Sequence, residues 1–386
     1  MTFNTRIIQW NKLLMSPLGL WPENFSNLRF YINFLYMGYF VSLEYLDLWV
    51  FIEDFDRVLL NVVENAAFTQ IMLRMYILYS YNRSIGALFN EINDDLISKE
   101  YTNEERKIFI TYQVKSVIFI KLLVISTALT ATSHYANPFI GQISEIVEYA
   151  GSSSENSSIV FRMPYCFYQF YEIKDVSTYF WTYGTQLPFV FVSAFGQCSS
   201  DCLMVTMVYH ISGQMAVLAL RITNIDTDPK RCTIELQKAF RLHIRLLRMG
   251  KDVQEIFSVI LIGQIISSLL LVCTLGYQIL LNLMIGDNFG LSSLIVFIFL
   301  VFLILYTHCT IGENLIIESN RVAEAYYNCN WYQMSNENAK MILLCIHRAQ
   351  KPMQLSAGQF KTFCLMTYTD TIKTSLGYLS VLRKTL

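Results

Sequence analysis

The sequence predicts an all-α integral membrane protein with seven transmembrane helices, a cytoplasmic N-terminus and an extracellular C-terminus. Of the 386 residues, 54% are hydrophobic and only 15% are charged, and the mean hydropathy is +0.37. Soluble domains carry about 25% charged residues, so the deficit is typical of a chain that lies mostly in lipid. Seven apolar stretches and an uneven distribution of Lys and Arg support the same prediction.

The seven stretches are mainly apolar and approach the roughly 20 residues that a membrane span requires. We expect spans 1 to 7 at residues 30–50, 58–81, 117–133, 176–209, 257–283, 291–310 and 363–382. Together they predict a single seven-helix membrane domain over residues 1–386. The chain shows no internal repeat, which weighs against an inverted-repeat transporter.

The segments between the spans are polar, and each separates two apolar stretches. Ahead of span 1, the proline-bounded stretch Ser16–Pro22 predicts an interfacial segment. Span 2 is the least obvious span because it carries Arg74. A basic, helix-prone segment at 221–251 follows span 4, a short turn at 286–290 joins spans 5 and 6, and a polar segment at 313–361 precedes span 7.

The orientation follows from the distribution of Lys and Arg. The N-terminal segment and the loops after spans 2, 4 and 6 hold 21 of the 29 basic residues, whereas the other loops and the C-terminal tail hold 5. Because cytoplasmic loops carry the excess of basic residues, the N-terminus is predicted inside. G-protein-coupled receptors have the opposite orientation. The N-terminus lacks an uninterrupted apolar core with a small-residue cleavage site, so we expect no signal peptide.

Several classes of chemistry find no support in the sequence. The nine cysteines include no CxxC pair, so we expect neither a metal site nor a disulfide framework. The net charge of −1 gives no indication of nucleic-acid binding. No span contains a Gly-x-Ser-x-Gly motif or a motif of paired carboxylates, so an intramembrane hydrolase is disfavoured and we expect no enzyme activity and no cofactor. A transporter or another seven-helix chemoreceptor stays open as an alternative.

The last forty residues contain the most specific pattern. The chain carries Arg348-Ala349-Gln350-Lys351-Pro352, then Leu355, Ala357-Gly358 and Phe360, and then Lys373-Thr374-Ser375, Tyr378, Val381 and Leu382. Proline restricts itself and the preceding residue, so we expect a helix to start just after Pro352. This pattern resembles the C-terminal signature of insect odorant receptors. The related gustatory receptors end in Thr-Tyr followed by Gln-Phe, and no Gln-Phe follows Thr367-Tyr368 here.

The resemblance continues in His210-Ile211-Ser212-Gly213-Gln214 after span 4 and in Gly312-Glu313 after span 6. It implies a subunit of a tetrameric, ligand-gated, non-selective cation channel that binds a small volatile odorant. The expected location is the plasma membrane of a sensory neuron dendrite, in contact with membrane lipid. The chain lacks the long insertion between helices 4 and 5 of the odorant co-receptor, so it resembles the tuning subunit, whose partners are co-receptor subunits.

The resemblance also implies where subunits meet and where ions pass. Residues 313–361, with the inner ends of helices 4 to 7, correspond to a cytoplasmic anchor, and residues 363–386 to the pore-lining helix. Val381 matches an apolar gate that blocks ions by dewetting, with Tyr378 nearby and Thr385 one turn later, where an apolar residue is expected. The anchor candidates are Tyr326, Trp331, Tyr332, Arg348, Lys351 and Pro352. An aromatic belt at the headgroups is the alternative for the aromatic members.

By the same resemblance, the ligand binds in an apolar cavity among spans 2, 3, 4 and 6. The candidates share faces of these helices and combine apolar and aromatic side chains with a few hydroxyls, namely Phe68, Ile71, Met72, Thr127, Thr130, His134, Tyr183, Leu187, Ser292 and Ile295. Such a lining suits a small volatile molecule that is held mainly by apolar burial. Ordinary helix–helix packing is the alternative for each residue.

Three further features have two interpretations each. Arg74 and Asp201 lie within spans, where a charge is costly unless it is hydrated or paired, so they mark a wet cavity or pair with polar groups such as Gln197 or Gln264. Asp370 and Lys373 are three residues apart and are expected to pair on one helical face, and the alternative is that Asp370 contributes to ion selectivity. Asn156 opens an Asn-x-Ser sequon in a predicted extracellular loop, which predicts glycosylation unless the pattern arose by chance.

Overall fold

The computed structural model describes residues 3–97, 101–151, 161–226, 228–286, 288–358 and 360–382. Its helices are α1 (Phe3–Met15), α2 (Asn27–Val50), α3 (Phe55–Ser80), α4 (Asn82–Ile97), α5 (Asn103–Gly151), α6 (Val176–Thr185), α7 (Leu187–Thr223), α8 (Pro229–Ile285), α9 (Asn288–Asn328), α10 (Asn336–Ala349) and α11 (Leu365–Leu382). A two-stranded antiparallel hairpin, β1 (Ser356–Ala357) and β2 (Lys361–Thr362), lies between α10 and α11.

The central helix of the bundle is α7, which packs against α1, α3, α5, α8 and α9. Its residues 198–219 are all buried, as expected for a helix surrounded by other helices. Close approach depends on small residues: a Cβ atom added at Gly213 would lie 3.0 Å from the Tyr112 side chain of α5. The core is therefore built around α7 rather than between two layers.

Spans 1, 2, 3, 5 and 6 lie almost entirely within helices that are longer than the spans, span 4 covers parts of two helices, and span 7 begins two residues before the 18-residue α11. Among the described residues, four segments are long and apolar enough to cross a membrane by length and composition: Asn103–Val147, Val176–Thr223, Arg231–Met284 and Gly290–Gln333. Spans 1, 2 and 7 correspond to α2, α3 and α11, whose charged residues lower their apolarity. Several helices, such as α5, α8 and α9, continue well past the predicted span ends.

Span 4 is interrupted, in contrast to the single helix expected over 176–209. The helix α6 ends at Thr185, Gln186 caps both helices, and Pro188 lies in the first turn of α7. Proline has no N–H to donate and its ring clashes with the carbonyl group four residues earlier. A helix break before Pro188 removes that clash, and it changes the rotational phase of the residues on either side.

The segment after Pro352 forms the hairpin and not the expected helix, which starts only at Leu365. Gly358 allows the turn because its φ is +58°, in the left-handed region that favours glycine. The amide side chain of Gln254 on α8 bonds both the N–H and the carbonyl of Ser356, each at 2.8 Å. These bonds satisfy backbone groups that a helix would have satisfied internally, so the hairpin is stable against α8.

Two regions of the bundle are named by what packs on them. The hairpin packs beside the middle of α8, near Gln254 and Ser258, and we call this the hairpin side; the end covered by residues 161–175 is the loop end. At the loop end the backbone N–H of Tyr168 donates to the carbonyl of Leu43 at 3.2 Å. Phe167 packs on Phe40 and Phe189, with ring centroids 4.8 and 5.1 Å apart. Aromatic burial thus holds the segment over the helices.

Candidate ligand-binding site

A cavity of about 120 Å³ lies inside the bundle near the loop end. Helices α3, α5, α7, α8 and α9 enclose it, and Tyr165 from the segment 161–175 completes its wall. The lining consists of Glu64, Ala67, Phe68, Gln70, Ile71, Thr127, Thr130, Ala131, His134, Tyr165, Ser193, Ala194, Gln197, Gln264, Ser267, Leu271, Phe297, Leu300, Val301 and Ile304. Apolar walls with a few convergent polar groups are typical of small-molecule sites.

Five of the ten residues proposed from the sequence line this cavity. Phe68 and Ile71 reach it from α3, and Thr127, Thr130 and His134 reach it from α5. Thr127, Thr130 and His134 share one face because they follow the i, i+3, i+7 spacing of a helix. Their role in binding a ligand stays a prediction.

The other five residues do not line the cavity. Met72 is turned toward α2, where its Cε would lie 3.3 Å from a Cβ atom at Gly38. Tyr183 bonds Tyr135, whose hydroxyl donates to the Tyr183 carbonyl at 2.8 Å. Leu187 is 42% exposed and lines a separate surface groove. The i, i+4 relation between Tyr183 and Leu187 fails because the break at Gln186 places them on different helices.

On α9 the expected face is rotated away from the cavity. Ser292 accepts a hydrogen bond from the Asn137 amide at 3.0 Å, and Ile295 is 50% exposed. The residues that line the cavity are instead Phe297, Leu300, Val301 and Ile304. Because this part of α9 is apolar on every side, its sequence does not indicate which face turns inward.

Sequence reasoning missed the contribution of α8 and of the segment 161–175. Gln264, Ser267 and Leu271 of α8 lie on one helical face because they follow the i, i+3, i+7 spacing. Two polar residues, Gln264 and Ser267, on one face of an apolar span could have indicated this face from the sequence. Tyr165 has no comparable signal, because a residue in an irregular segment has no helical periodicity.

The loop end of the cavity is polar. Glu64 is 5% exposed and lies on the cavity wall. One of its carboxylate oxygens lies 3.3 Å from His134 Nε2, and the other accepts the backbone N–H of Cys166 at 2.9 Å. The second ring nitrogen of His134 lies 3.4 Å from the hydroxyl of Ser293 on α9. This arrangement fixes a carboxylate and an imidazole at one end of the cavity.

Two more buried carboxyl groups lie behind Glu64. Asp47 accepts hydrogen bonds from Arg57 Nε at 2.9 Å and from Asn61 at 2.8 Å. Neither oxygen of Glu44 accepts a hydrogen bond from any residue that the structure describes, although Glu44 is fully buried. Burial raises the pKa of Tyr165 well above its ordinary value, and the nearby Glu64 and Glu44 raise it further, so its phenol stays neutral.

The hairpin-side floor of the cavity is a network of charged and amide side chains. Arg74 forms an ion pair with Asp201 and a hydrogen bond to Gln264. Gln197 donates to Asp201 at 2.7 Å, and His308 Nε2 lies 3.1 Å from the same carboxylate. The prediction that neighbouring polar groups pair with these two charges is therefore confirmed. The network also joins α3, α7, α8 and α9 below the cavity.

At the C-terminal helix, Tyr378 and Val381 are 59% and 62% exposed, so neither is buried by the described part of its own chain. Thr385 lies outside the described residues, as does Asn156 of the sequon. Asp370 lies 3.4 Å from Lys361 at the hairpin, so the expected pair with Lys373 is replaced by a contact with the preceding strand.

The anchor candidates divide into exposed and buried residues. Trp331 and Tyr332 are 43% and 67% exposed, Arg348 and Lys351 are exposed, and Pro352 is half-buried. Tyr326 is fully buried against His243 of α8, with ring centroids 5.7 Å apart. Because α9 continues to Asn328 and turns Tyr326 toward α8, this residue is part of the subunit core and does not face a partner.

Within the described ranges, no group of three or more His, Cys, Asp or Glu side chains could hold a metal ion. The site combines a small internal volume, aromatic rings and the carboxylate of Glu64. Such a site binds and orients a compact molecule.

The sequence profile of the 7tm odorant receptor family matches residues 54–376. Odorant receptor 94a of Drosophila melanogaster is 25% identical over 61% of this chain and 62% of its own length. Odorant receptor 13a of the same species is 26% identical over 51% of this chain and 52% of its own length. The chain thus spans about half to three-fifths of the length of these curated relatives.

Two solved structures share the fold. The insect olfactory receptor OR5 from Machilis hrabei aligns over 99% of both chains, with a TM-score of 0.77 and 16% sequence identity. The same receptor in complex with eugenol aligns over 100% of both chains with the same TM-score and identity. This similarity confirms the predicted fold class, whereas the orientation of the termini stays a prediction.

Proposed function

The chain belongs to the 7tm odorant receptor family, and on that premise we propose that it is the ligand-binding subunit of an odorant-gated cation channel. The observation that carries the proposal is the cavity beside Glu64 and His134, among five helices. Its apolar walls favour a volatile compound because apolar burial contributes about 25 cal/mol per Å² and needs no charged partner. The eugenol complex of OR5 supports a small organic ligand for this fold.

The proposal includes a multi-pass location in the plasma membrane of a sensory neuron dendrite and assembly with odorant co-receptor subunits. The exposed aromatic and basic groups from Trp331 to Lys351 are suited to a subunit interface, where aromatic and arginine side chains are enriched. The exposed face of α11 around Tyr378 and Val381 is suited to line a pore shared among subunits. Together these surfaces leave the cavity, the interface and the pore on different parts of one chain.

The test is whole-cell recording from cells that express this chain with and without an odorant co-receptor, across a panel of volatile compounds. An inward cation current that requires both subunits and a particular compound is the expected result. Current from this chain alone would indicate a homomeric pore. No current in any condition, despite surface expression, would contradict the proposal.

Val381→Ala tests the gate. A smaller apolar ring weakens dewetting, so the basal current of the co-expressed channel should rise relative to the odorant-evoked maximum. Ser380→Ala is the matched control, because Ser380 is also exposed at the end of α11 but lies about 100° around the helix. An equal rise in both variants, or none in Val381→Ala, would remove Val381 from the gate.

A further inference from the structure

Three buried carboxyl groups lie near the loop end of the cavity, and one of them, Glu64, is on the cavity wall. Of the three buried carboxyls, Asp47 is paired with Arg57, and its closest contact to that guanidinium is 2.5 Å. Glu64 contacts the imidazole of His134 at 3.3 Å, and among the described residues no guanidinium or ammonium group forms an ion pair with it. An ionised carboxylate out of water requires a counter-charge, so this end of the cavity favours a cation over an anion.

Aromatic rings surround the same carboxylate. Phe68 and Tyr165 have ring centroids 5.5 Å apart, and His134 lies 5.1 Å from Tyr165 and 6.3 Å from Phe297. All four rings belong to residues that line the cavity. The faces of the Phe68, Tyr165 and Phe297 rings carry partial negative charge, and such faces attract ammonium groups within about 6 Å of the centroid.

The size of the cavity limits its occupant. A cavity of about 150 Å³ in another protein holds benzene, which has six non-hydrogen atoms. The 120 Å³ here therefore suits a molecule of about five to seven non-hydrogen atoms. Beyond the carboxylate, the walls contributed by Leu271, Leu300 and Ile304 are apolar and suit an alkyl group.

We propose that the cavity recognises a compact aliphatic amine in its protonated form, with the ammonium group against Glu64 and the alkyl group against the apolar walls. This inference rests on the proposed function, since it names the ligand class of the same cavity. Glu64 has accepting capacity left, because a carboxylate has about four lone-pair sites and the described contacts use two. The ammonium ion supplies a full positive charge beside the Glu64 carboxylate.

The first test measures binding without any channel activity. The purified full-length protein in detergent at pH 7.4 is titrated with 3-methylbutylamine and, separately, with its isostere 3-methylbutan-1-ol, and the shift of its thermal unfolding is followed. Ligand that binds only the folded state raises the unfolding temperature. The amine is expected to bind at least tenfold more tightly than the alcohol, because hydrogen bonds to charged groups are the stronger ones.

Two variants test which side chains cause the preference for the amine over the alcohol. Glu64→Gln keeps the size of the side chain and an oxygen for the Cys166 N–H, and should weaken the amine by about ten- to a hundredfold while leaving the alcohol nearly unchanged. Phe297→Leu keeps the wall apolar and removes one ring, and should weaken the amine by about two- to thirtyfold. If Glu64→Gln does not fold, Phe297→Leu still tests whether the cavity wall contributes to binding of the ammonium group.

Thr130→Val is the matched control inside the same cavity. The Thr130 hydroxyl already donates to the Ser126 carbonyl at 2.9 Å, so its removal should affect amine and alcohol equally. Equal affinity of the wild type for the amine and the alcohol, or tighter binding of the alcohol, would overturn the amine assignment.

Recording separates this inference from the proposed function. Amine-evoked current in cells with the co-receptor supports both. Amine binding without current supports the ligand class and contradicts the channel role. Current evoked by neutral compounds alone supports the channel role and contradicts the ligand class.

Discussion

The ion pair between Arg74 and Asp201 is the most consequential contact between single residues in the bundle. Both side chains are almost completely buried, and Gln197, Gln264 and His308 contribute further hydrogen bonds around them. Breaking one partner of such a pair leaves a buried charge without compensation, which costs about 3–5 kcal/mol. Replacement of both partners by apolar groups is far less costly.

Asp201→Asn should therefore lower the free energy of unfolding by about 3–5 kcal/mol, because Arg74 keeps its charge and loses its counter-charge. Equilibrium unfolding in mixed micelles measures this value. The double variant Arg74→Met with Asp201→Leu is the control and should recover most of the loss. A single variant within about 1 kcal/mol of wild type would show that the pair is hydrated, since exposed pairs contribute no more than that.

The carboxyl group of Asp95, which lies outside the predicted spans, should make the stability of the protein depend on pH. Burial raises its pKa, but hydrogen bonds from His210 and from Arg245, at 3.0 and 2.8 Å, outweigh burial and hold the pKa below its ordinary value. A carboxyl whose pKa is lowered by folding stabilises the protein above its unfolded pKa of about 3.9. That contribution is lost as the pH falls through the lower, folded value.

Asp95→Asn should accordingly lower the unfolding temperature at pH 7 and at pH 5, and the difference from wild type should shrink below about pH 4. Thermal unfolding in detergent at several pH values measures the difference. Asp226→Asn, at a half-buried position near the end of α7, is the control and should show little effect at any pH. A difference that does not change with pH would exclude the carboxylate as its cause.

At the scale of elements, the contact between α9 and the start of α11 links the cavity wall to the C-terminal helix. The backbone of Phe363 passes directly over Gly312, so that a Cβ atom there would overlap the Phe363 carbonyl oxygen. Only glycine allows this approach. The matching residues Gly312-Glu313 of the sequence pattern thus have a packing role, and Glu313 also accepts the backbone N–H of Leu365 at 3.2 Å.

Gly312→Ala should destabilise the protein by about 1–3 kcal/mol, because the overlap with the Phe363 carbonyl forces the two helices apart. Gly184→Ala is the control, since a Cβ atom there meets nothing within 4 Å. That control should leave the thermal unfolding temperature unchanged or slightly raised. Equal stability of the two variants would show that α11 adjusts freely against α9.

The sequence predicted that long helices form, but it did not predict for every helix which face turns toward the cavity. The seven apolar stretches lie mainly in helices, but much of α9 is apolar all round and α6 is separated from α7 at Gln186. The predicted faces were therefore correct on α3 at Phe68 and Ile71 and on α5, and rotated away from the cavity on α9. The sequence predicts which face of a helix turns toward the cavity only where polar residues distinguish that face from the others.

For the whole molecule, the distribution of Lys and Arg predicts a cytoplasmic N-terminus and an extracellular C-terminus. Epitope tags at each end test this in cells that express the chain. A C-terminal tag should be stained on intact cells, and an N-terminal tag only after permeabilisation. The reverse pattern would place the loop end of the bundle, and hence the cavity, on the cytoplasmic side.

The sequence by itself determined the class of the protein, its family resemblance and the positions of its apolar spans, because composition, motif and hydrophobic length are local properties of the chain. Only the tertiary structure decided which residues enclose the cavity. Glu64 and Tyr165 are distant in sequence and meet because the segment 161–175 folds over the bundle. Arg74 and Asp201 pair for the same reason: two costly charges in apolar helices lie where each compensates the other.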